Sequence, residues 1–204
     1  MKQEPFKLLI ATNNQGKVKE IAQLLDAAPV KLRSLVDFDN IAEVEETGST
    51  FTENAILKAR GYAMQTGITA LADDSGLEIE ALNNAPGVLS ARYAGANTSF
   101  GEKMQLLLSE MGTAADNNRS ARFVCSMAVS NSNGVILHSV EANCSGKIAF
   151  EPRGNGGFGY DPIFEPEGFN MTFGELPDEI KREISHRARA SALIMRFLLD
   201  FIAV

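Results

Sequence analysis

A short apolar segment that leads into two adjacent aspartates constrains this chain more than any other feature of its sequence. Residues Ile68 to Ala72 predict a buried strand, and Asp73 and Asp74 follow it directly. The alternating residues Leu77 to Leu82 predict a second, half-buried strand. Two carboxylates at the end of a buried strand are costly unless something compensates their charge. The pair therefore indicates either a divalent-cation site or an ordinary turn in which the aspartates cap their own backbone.

The composition indicates a globular protein and excludes some classes of partner. The chain has 204 residues, which is enough for one domain with a substantial core or for two small lobes. Its formal net charge of −7 argues against nonspecific binding to DNA or RNA, because that binding needs a basic surface. Residues 1–10 show no signal-peptide pattern, and no apolar run reaches membrane-spanning length. We therefore expect a cytoplasmic protein without a nucleic-acid or membrane partner, in which Cys125 and Cys144 are buried thiols.

A polar segment between a predicted strand and a predicted helix suits phosphate. Phe6 to Ala11 is a short apolar run, and helical spacing begins at Val18. The junction would collect backbone N–H groups, the positive end of a helix dipole and one lysine. Its residues are Thr12, Asn13, Asn14, Gln15, Gly16 and Lys17. Because the spacing is not that of a P-loop, a simple turn with an exposed lysine is the alternative.

An acidic segment precedes the next predicted helix. Glu45 and Glu46 lie close to Gly48, and such a run is typical of a solvated loop or supplies hard oxygen ligands for Mg²⁺. The helix opens near Thr52 and places Lys58 on its polar side.

The second half of the chain contains a hairpin signal and a glycine-rich loop. The segments 121–129 and 135–142 predict two strands joined by a turn, and 146–150 predicts a further strand. Residues 154–161 match G-x-G-x-x-G, but Asp161-Pro162 prevents the helix that a dinucleotide fingerprint needs. A glycine-rich loop that carries Phe158 and Tyr160 suits a planar ligand instead, with a mobile surface loop as the alternative.

The end of the chain is predicted to be helical. Ser185 is a candidate cap for the last helix, and His186 and Arg187 fall in its first turn. The helix dipole disfavours cations there, so a bound anion or a nearby carboxylate is expected.

Taken together, these segments resemble the inosine-triphosphate pyrophosphatase family from about Leu8 to Arg187. The matching motifs occur in order at Thr12 to Lys17, Glu45 to Ala55, Ala72 to Leu77, Pro86 to Tyr93, Gly156 to Phe164 and Ser185 to Arg187. The resemblance implies an α/β fold with an elongated mixed β-sheet flanked by helices, two lobes and a central cleft. It implies one domain over residues 1–204 and usually a homodimer. The reaction it implies is Mg²⁺-dependent hydrolysis of non-standard purine nucleoside triphosphates (dITP/ITP, XTP) to the monophosphate and pyrophosphate.

The resemblance also assigns expected roles to residues. Asp74 matches the general base and, with Glu45, the metal-associated carboxylates, while the roles of Glu46 and Asp73 stay open. The substrate-binding residues that it implies are Thr12, Asn13, Asn14, Gln15, Gly16, Lys17 and Lys58 on the phosphate side, Ser75 as a further contact with the nucleotide, and Phe158, Gly159, Tyr160, Asp161, Lys181, His186 and Arg187 around the base. Donors at the 6-oxo edge of the purine would leave adenine mismatched.

Two other interpretations compete with this one. A related pyrophosphatase could act on modified pyrimidine or methylated nucleotides, although the Ser185-His-Arg187 motif and the Phe158 loop argue against it. A nucleotide-binding regulatory protein would not need Glu45, Asp73 and Asp74 together.

Overall fold

Six strands form one sheet in the part of the chain that the structure describes, residues 5–95, 97–112 and 118–203 of a computed structural model. The strands are β1 (Phe6–Ile10), β2 (Val30–Ser34), β3 (Thr69–Ile79), β4 (Ser120–Ser130), β5 (Ile136–Ile148) and β6 (Phe164–Pro166). Their order in the sheet is β2-β1-β3-β4-β5-β6. β1 is parallel to β2 and to β3, whereas β5 and β6 are antiparallel. The predicted mixed α/β fold is confirmed.

The α-helices in the described residues are α1 (Gln15–Leu24), α2 (Phe51–Thr66), α3 (Phe100–Met111), α4 (Asp178–Ile184) and α5 (His186–Ile202). Four of these five begin at a residue whose side chain caps them, and α4, which follows Pro177, does not. Thr50 and Glu53 form a capping box at α2. The predicted cap at Ser185 is confirmed, because its hydroxyl accepts a hydrogen bond from Ala188 N at 3.1 Å. No helix in the described residues is long and apolar enough to cross a membrane.

The chain divides into two compact units, each with its own core. The first unit comprises residues 1–74, 125–142 and 189–204, and the second comprises 75–124 and 143–188. In the first unit, one apolar cluster joins β1 and β3 to α1 and α5 through residues such as Ile10, Ile21 and Leu71. A second cluster joins the same strands to α2 through Leu9, Ala59 and other residues. Since alternate strand residues face opposite sides, α1 and α2 cover opposite faces of this part of the sheet.

Two predictions about strands are wrong. β3 does not stop at the aspartates but continues from Thr69 through both of them to Ile79, so neither the turn nor a separate strand over Leu77 to Leu82 forms. Residues 80–82 are instead a short 3₁₀ turn. The further strand predicted over 146–150 is the last part of β5, which ends at Ile148. In β3 the strand can continue because its carboxylates have partners on the neighbouring helices.

The remaining junctions agree with the prediction. Asn131 N donates to Val135 O at 3.0 Å, which closes the predicted turn between β4 and β5. The glycine-rich segment does not open an α-helix; a 3₁₀ turn over Asp161–Ile163 follows it.

Candidate active site

Asp73 and Asp74 are neighbours in β3, but their side chains lie in different environments. Asp73 pairs with Lys17 of α1, and Asp74 pairs with Lys58 of α2. This separation follows from the alternation of strand side chains and from the opposite positions of the two helices. The side chains of both aspartates are almost fully buried, at 0% and 8% exposure. The two carboxylates therefore have different partners.

The carboxylate of Asp74 accepts a hydrogen bond at each oxygen from α2. Lys58 Nζ donates to Oδ1 at 3.1 Å, and Asn54 Nδ2 donates to Oδ2 at 3.1 Å. Lys58 also donates to Glu46 Oε1 at 2.5 Å. One lysine thus joins Asp74 to the acidic loop that precedes α2.

The pKa values of both Asp74 and Lys58 are raised, for different reasons. Burial raises the pKa of Asp74, Lys58 and Lys17 oppose that rise, and Glu46 adds to it, so the net direction is upward. Burial alone would lower the pKa of Lys58, but Asp74, Asp73 and Glu46 outweigh it and raise that pKa. In the chain alone, burial is the largest effect on the pKa of Asp74.

The predicted phosphate loop is the N-terminal end of α1. Asn14 caps this helix by accepting a hydrogen bond from Lys17 N at 3.2 Å, so Gln15, Gly16 and Lys17 form its first turn. Asn14 N in turn donates to Thr12 Oγ1 at 3.2 Å, while Asn13 is exposed. The Lys17 ammonium lies 3.2 Å from Asp73 Oδ1.

Asp73 is held on its other side by a thiol. Its second oxygen lies 3.8 Å from Cys125 Sγ of β4, and both residues are completely buried. Asp73 therefore anchors Lys17 from within the core.

The acidic residues fit Mg²⁺ only as part of a site that a substrate completes. Asp74 and Glu46 converge on one ammonium, whereas Glu45 is exposed. No cluster of three or more His, Cys, Asp or Glu side chains that could hold a metal occurs among the described residues. Mg²⁺ is usually bound by one or two carboxylates together with substrate phosphates and water, and this donor set meets that requirement.

In the second unit, most of the predicted base-binding residues lie together around Phe158. Lys181 Nζ lies 4.9 Å from the centre of its ring, and the Arg187 guanidinium lies 5.5 Å from it. Asp161 Oδ2 accepts hydrogen bonds from Lys181 Nζ and from Phe158 N, both at 2.7 Å. Arg187 also donates to Ser75 Oγ at 2.8 Å. Phe158 itself is half-buried, so one part of the ring remains accessible.

Other predicted residues of this group face the core. The Tyr160 hydroxyl donates to Ser90 O at 2.9 Å, and the ring is buried. The His186 ring stacks on Phe123, with ring centres 4.7 Å apart and planes at 13°. Gly159 has a φ of 68°, a left-handed conformation that favours glycine. Sequence reasoning did not single out Ser90 or Phe123 as supports of this group.

Two solved structures that match this chain closely are Ham1 proteins. A HAM1 protein from Coxiella burnetii superposes with a TM-score of 0.85 at 43% identity, covering 96% of this chain and 99% of that protein. The Staphylococcus aureus Ham1 protein gives a TM-score of 0.84 at 40% identity, with 95% and 98% covered. The fold therefore places this protein among α/β proteins of the Ham1 type.

The sequence comparisons specify the family. The model of the Ham1 family matches residues 8–197. A dITP/XTP pyrophosphatase from Desulforamulus reducens is 47% identical over 193 residues, which are 95% of this chain and 96% of that protein. Another from Geobacter sulfurreducens is 47% identical over 188 residues, covering 92% and 94%. The chain belongs to the Ham1 family, which confirms the resemblance found in its motifs.

Proposed function

We propose that this protein hydrolyses non-standard purine nucleoside triphosphates (dITP, ITP and XTP) to the monophosphate and pyrophosphate, with Mg²⁺ as cofactor. The observation that carries the proposal is the buried carboxylate of Asp74, held by Lys58 and Asn54 next to an acidic loop. The substrate class is supported by relatives at 47% identity that are named dITP/XTP pyrophosphatases. This activity would keep such nucleotides out of the pool used for DNA and RNA synthesis.

Residues of the first unit would act on the phosphates. In the proposed step, water attacks the α-phosphorus, the bond from this atom to the oxygen bridging to the β-phosphate breaks, and that oxygen leaves with pyrophosphate. Asp74 accepts the proton that the water loses. Lys17 and Lys58 balance the negative charge of the leaving group.

The metal would be held by carboxylates of the same unit. Asp74 and a glutamate of the acidic loop would bind Mg²⁺, which supplies Lewis-acid stabilisation of phosphoryl oxygens and lowers the pKa of bound water. Glu45 remains the glutamate predicted from the resemblance. The contacts of Glu46 with Lys58 make Glu46 the second candidate.

Residues of the second unit would bind the purine. Phe158 would stack on the base, and donors from Lys181 and Arg187, which lie over its ring, would meet the 6-oxo edge. His186, the third donor that the resemblance implies, stacks on Phe123 and would support this group from the core. Adenine carries an amino group at that edge, so a donor would be left unsatisfied and adenine would bind less well.

A panel of nucleoside triphosphates tests this function. We expect pyrophosphate release from dITP and XTP with Mg²⁺, with little release from dATP or dUTP and none when the metal is chelated. A preference for dUTP or other pyrimidines would overturn the proposal.

A single substitution tests the role of the carboxylate. Asp74→Asn should retain its fold and nucleotide binding while losing at least about 100-fold in kcat, because general-base catalysis typically contributes this much. Asp37→Asn is a matched control, since Asp37 is a surface residue of the same unit paired with Arg33. Pyrophosphate release by Asp74→Asn at the rate of the control would remove Asp74 from the reaction.

We further propose a homodimer in the cytoplasm. The buried thiols Cys125 and Cys144 are consistent with a reducing compartment, and the dimer is expected from the family resemblance. Sedimentation of the purified protein would test the dimer.

A further inference from the structure

Asn54 is a completely buried residue in the first turn of α2 whose side-chain amide joins two other segments. Its Nδ2 donates to Asp74 Oδ2 at 3.1 Å, and its Oδ1 accepts a hydrogen bond from Gly48 N at 2.8 Å. The second contact fixes the orientation of the amide, because only the oxygen can accept from a backbone N–H. The nitrogen must therefore face the carboxylate.

Asn54 and Lys58 perform parallel tasks one helical turn apart. Residues four apart in a helix lie on the same face. Each binds a different oxygen of Asp74, and each also binds the acidic loop, Asn54 at Gly48 and Lys58 at Glu46. Two bonds at two oxygens prevent rotation of the carboxylate, which one bond would not do. Lys58 contributes a positive charge to this arrangement, whereas Asn54 contributes a neutral hydrogen bond that orients the carboxylate.

We propose that Asn54 is a positioning residue for the hydrolysis of the nucleotide. It sets the plane of the Asp74 carboxylate and keeps the acidic loop at a fixed distance from it. The assignment rests on the proposed function, in which Asp74 accepts a proton from water. Asn54 touches neither the water nor the phosphates in this role.

The acidic loop has no room to move towards this amide. A Cβ on Gly48 would lie 2.7 Å from Asn54 Oδ1 and 2.6 Å from Glu53 Cβ. The backbone of the loop thus lies directly against the start of α2, where Asn54 accepts the hydrogen bond of the partly buried Gly48 N–H. An apolar side chain here would leave both the N–H and the carboxylate with one hydrogen bond fewer.

Asn54→Asp separates positioning of Asp74 from attachment of the loop. The aspartate keeps the size of the side chain and an acceptor for Gly48 N, but it replaces the donor to Asp74 with a carboxylate oxygen. The matched control is Gln65→Glu at the other end of α2. Gln65 makes a similar pair of bonds, accepting from Ala42 N at 2.8 Å and donating to Ala42 O at 3.1 Å.

Steady-state kinetics with dITP and Mg²⁺ is the first measurement. We expect Asn54→Asp to lower kcat about 10- to 100-fold, with KM within about threefold of wild type, because Asp74 loses one hydrogen bond and gains a like charge beside it. Gln65→Glu should leave both constants within about twofold. An Asn54→Asp variant with the kcat of the control, or with a raised KM and unchanged kcat, would overturn the proposal.

The side-chain amide signal of Asn54 gives a readout that does not depend on activity. In nitrogen–proton correlation spectra of the wild type, its protons should exchange slowly with solvent, and their signal should move in Asp74→Asn but not in Asp37→Asn. A rapidly exchanging signal, unmoved by Asp74→Asn, would overturn the proposal even if Asn54→Asp did not fold. A wild type that releases no pyrophosphate would instead refute the proposed function, and the amide signal would still test the contact.

Discussion

Removal of the Lys58 ammonium should destabilise the first unit more than removal of any surface charge. The Lys58 side chain is 9% exposed, and its Nζ lies 3.1 Å from Asp74 Oδ1 and 2.5 Å from Glu46 Oε1. Lys58→Met keeps the aliphatic stem but leaves these carboxylates without their shared cation. Asp74, whose side chain is 8% exposed, then keeps its buried negative charge with the hydrogen bond from Asn54 but without the ammonium in contact with it.

The magnitude follows from these distances and from the burial. With an effective dielectric constant of about 20, a charge pair at 3.1 Å attracts by about 5 kcal/mol. Desolvation of the ammonium offsets part of this attraction, and breaking one partner of a buried pair typically costs about 3–5 kcal/mol. We therefore expect Lys58→Met to lower the free energy of unfolding by about 3–5 kcal/mol and the unfolding midpoint by about 10 °C.

A double-mutant cycle with Asp74→Asn isolates the pair. The free energy of unfolding of the double variant should fall by about 2–3 kcal/mol less than the sum of the two single decreases. The reason is that Asp74→Asn removes the buried charge that Lys58→Met leaves without its cation. The chain has no tryptophan, so urea unfolding followed by far-ultraviolet circular dichroism is the suitable measurement.

The exposed pair of Arg33 and Asp37 provides the control cycle. Its atoms lie 2.9 Å apart, but its side chains are 33% and 37% exposed, so its coupling should stay below about 1 kcal/mol. A coupling between Lys58 and Asp74 no larger than this control would refute the reasoning from burial.

Two further predictions concern other parts of the chain. Burial, together with the hydrogen bond to Glu110, raises the pKa of Tyr93 to about 12. Because the folded phenol holds its proton more tightly than the unfolded one, this stabilisation is present below about pH 10 and is lost as the pH rises towards 12. Thermal unfolding across this range should fall less steeply for Tyr93→Phe than for wild type, and parallel curves would contradict the assignment. Gly48→Ala should lower the free energy of unfolding by about 1–3 kcal/mol in urea, because its Cβ would meet Glu53 and Asn54; an unchanged midpoint would show that the loop can move away.

The family and most helices could be predicted from the sequence because their signals are local. The cap at Ser185 and the polar segment before α1 use residues within one turn of each other. The family motifs are also short runs in a fixed order, and the match to residues 8–197 confirms them.

The course of β3 could not be predicted, because its reason is not local. An apolar run that meets two aspartates normally ends there. Here Lys17 and Lys58 come from helices elsewhere in the chain and reach the carboxylates from opposite faces of the sheet. Only the three-dimensional arrangement shows that the strand can continue through them.

Several residues that the sequence singled out lie in contact in the structure, but their hydrogen-bond partners could not be predicted. Lys58 and Asp74 lie in contact, and so do Phe158, Lys181 and Asp161. The role of Asn54 is not visible in the sequence, because its partners are 6 and 20 residues away. The choice between adjacent glutamates depends on the conformation of the loop, which residue type does not determine.

The position of the two aspartates in a continuous strand makes them unable to replace each other. A strand residue exchanges faces when its register shifts by one. Inserting one residue before Asp73 would move Asp73 to the position that faces α2 and Lys58. Asp74 would then face the side of α1, but about 7 Å further along the strand than the position that Lys17 contacts, so Lys17 would lose its partner. Which aspartate meets which lysine thus depends on the register of the strand as well as on the residue type.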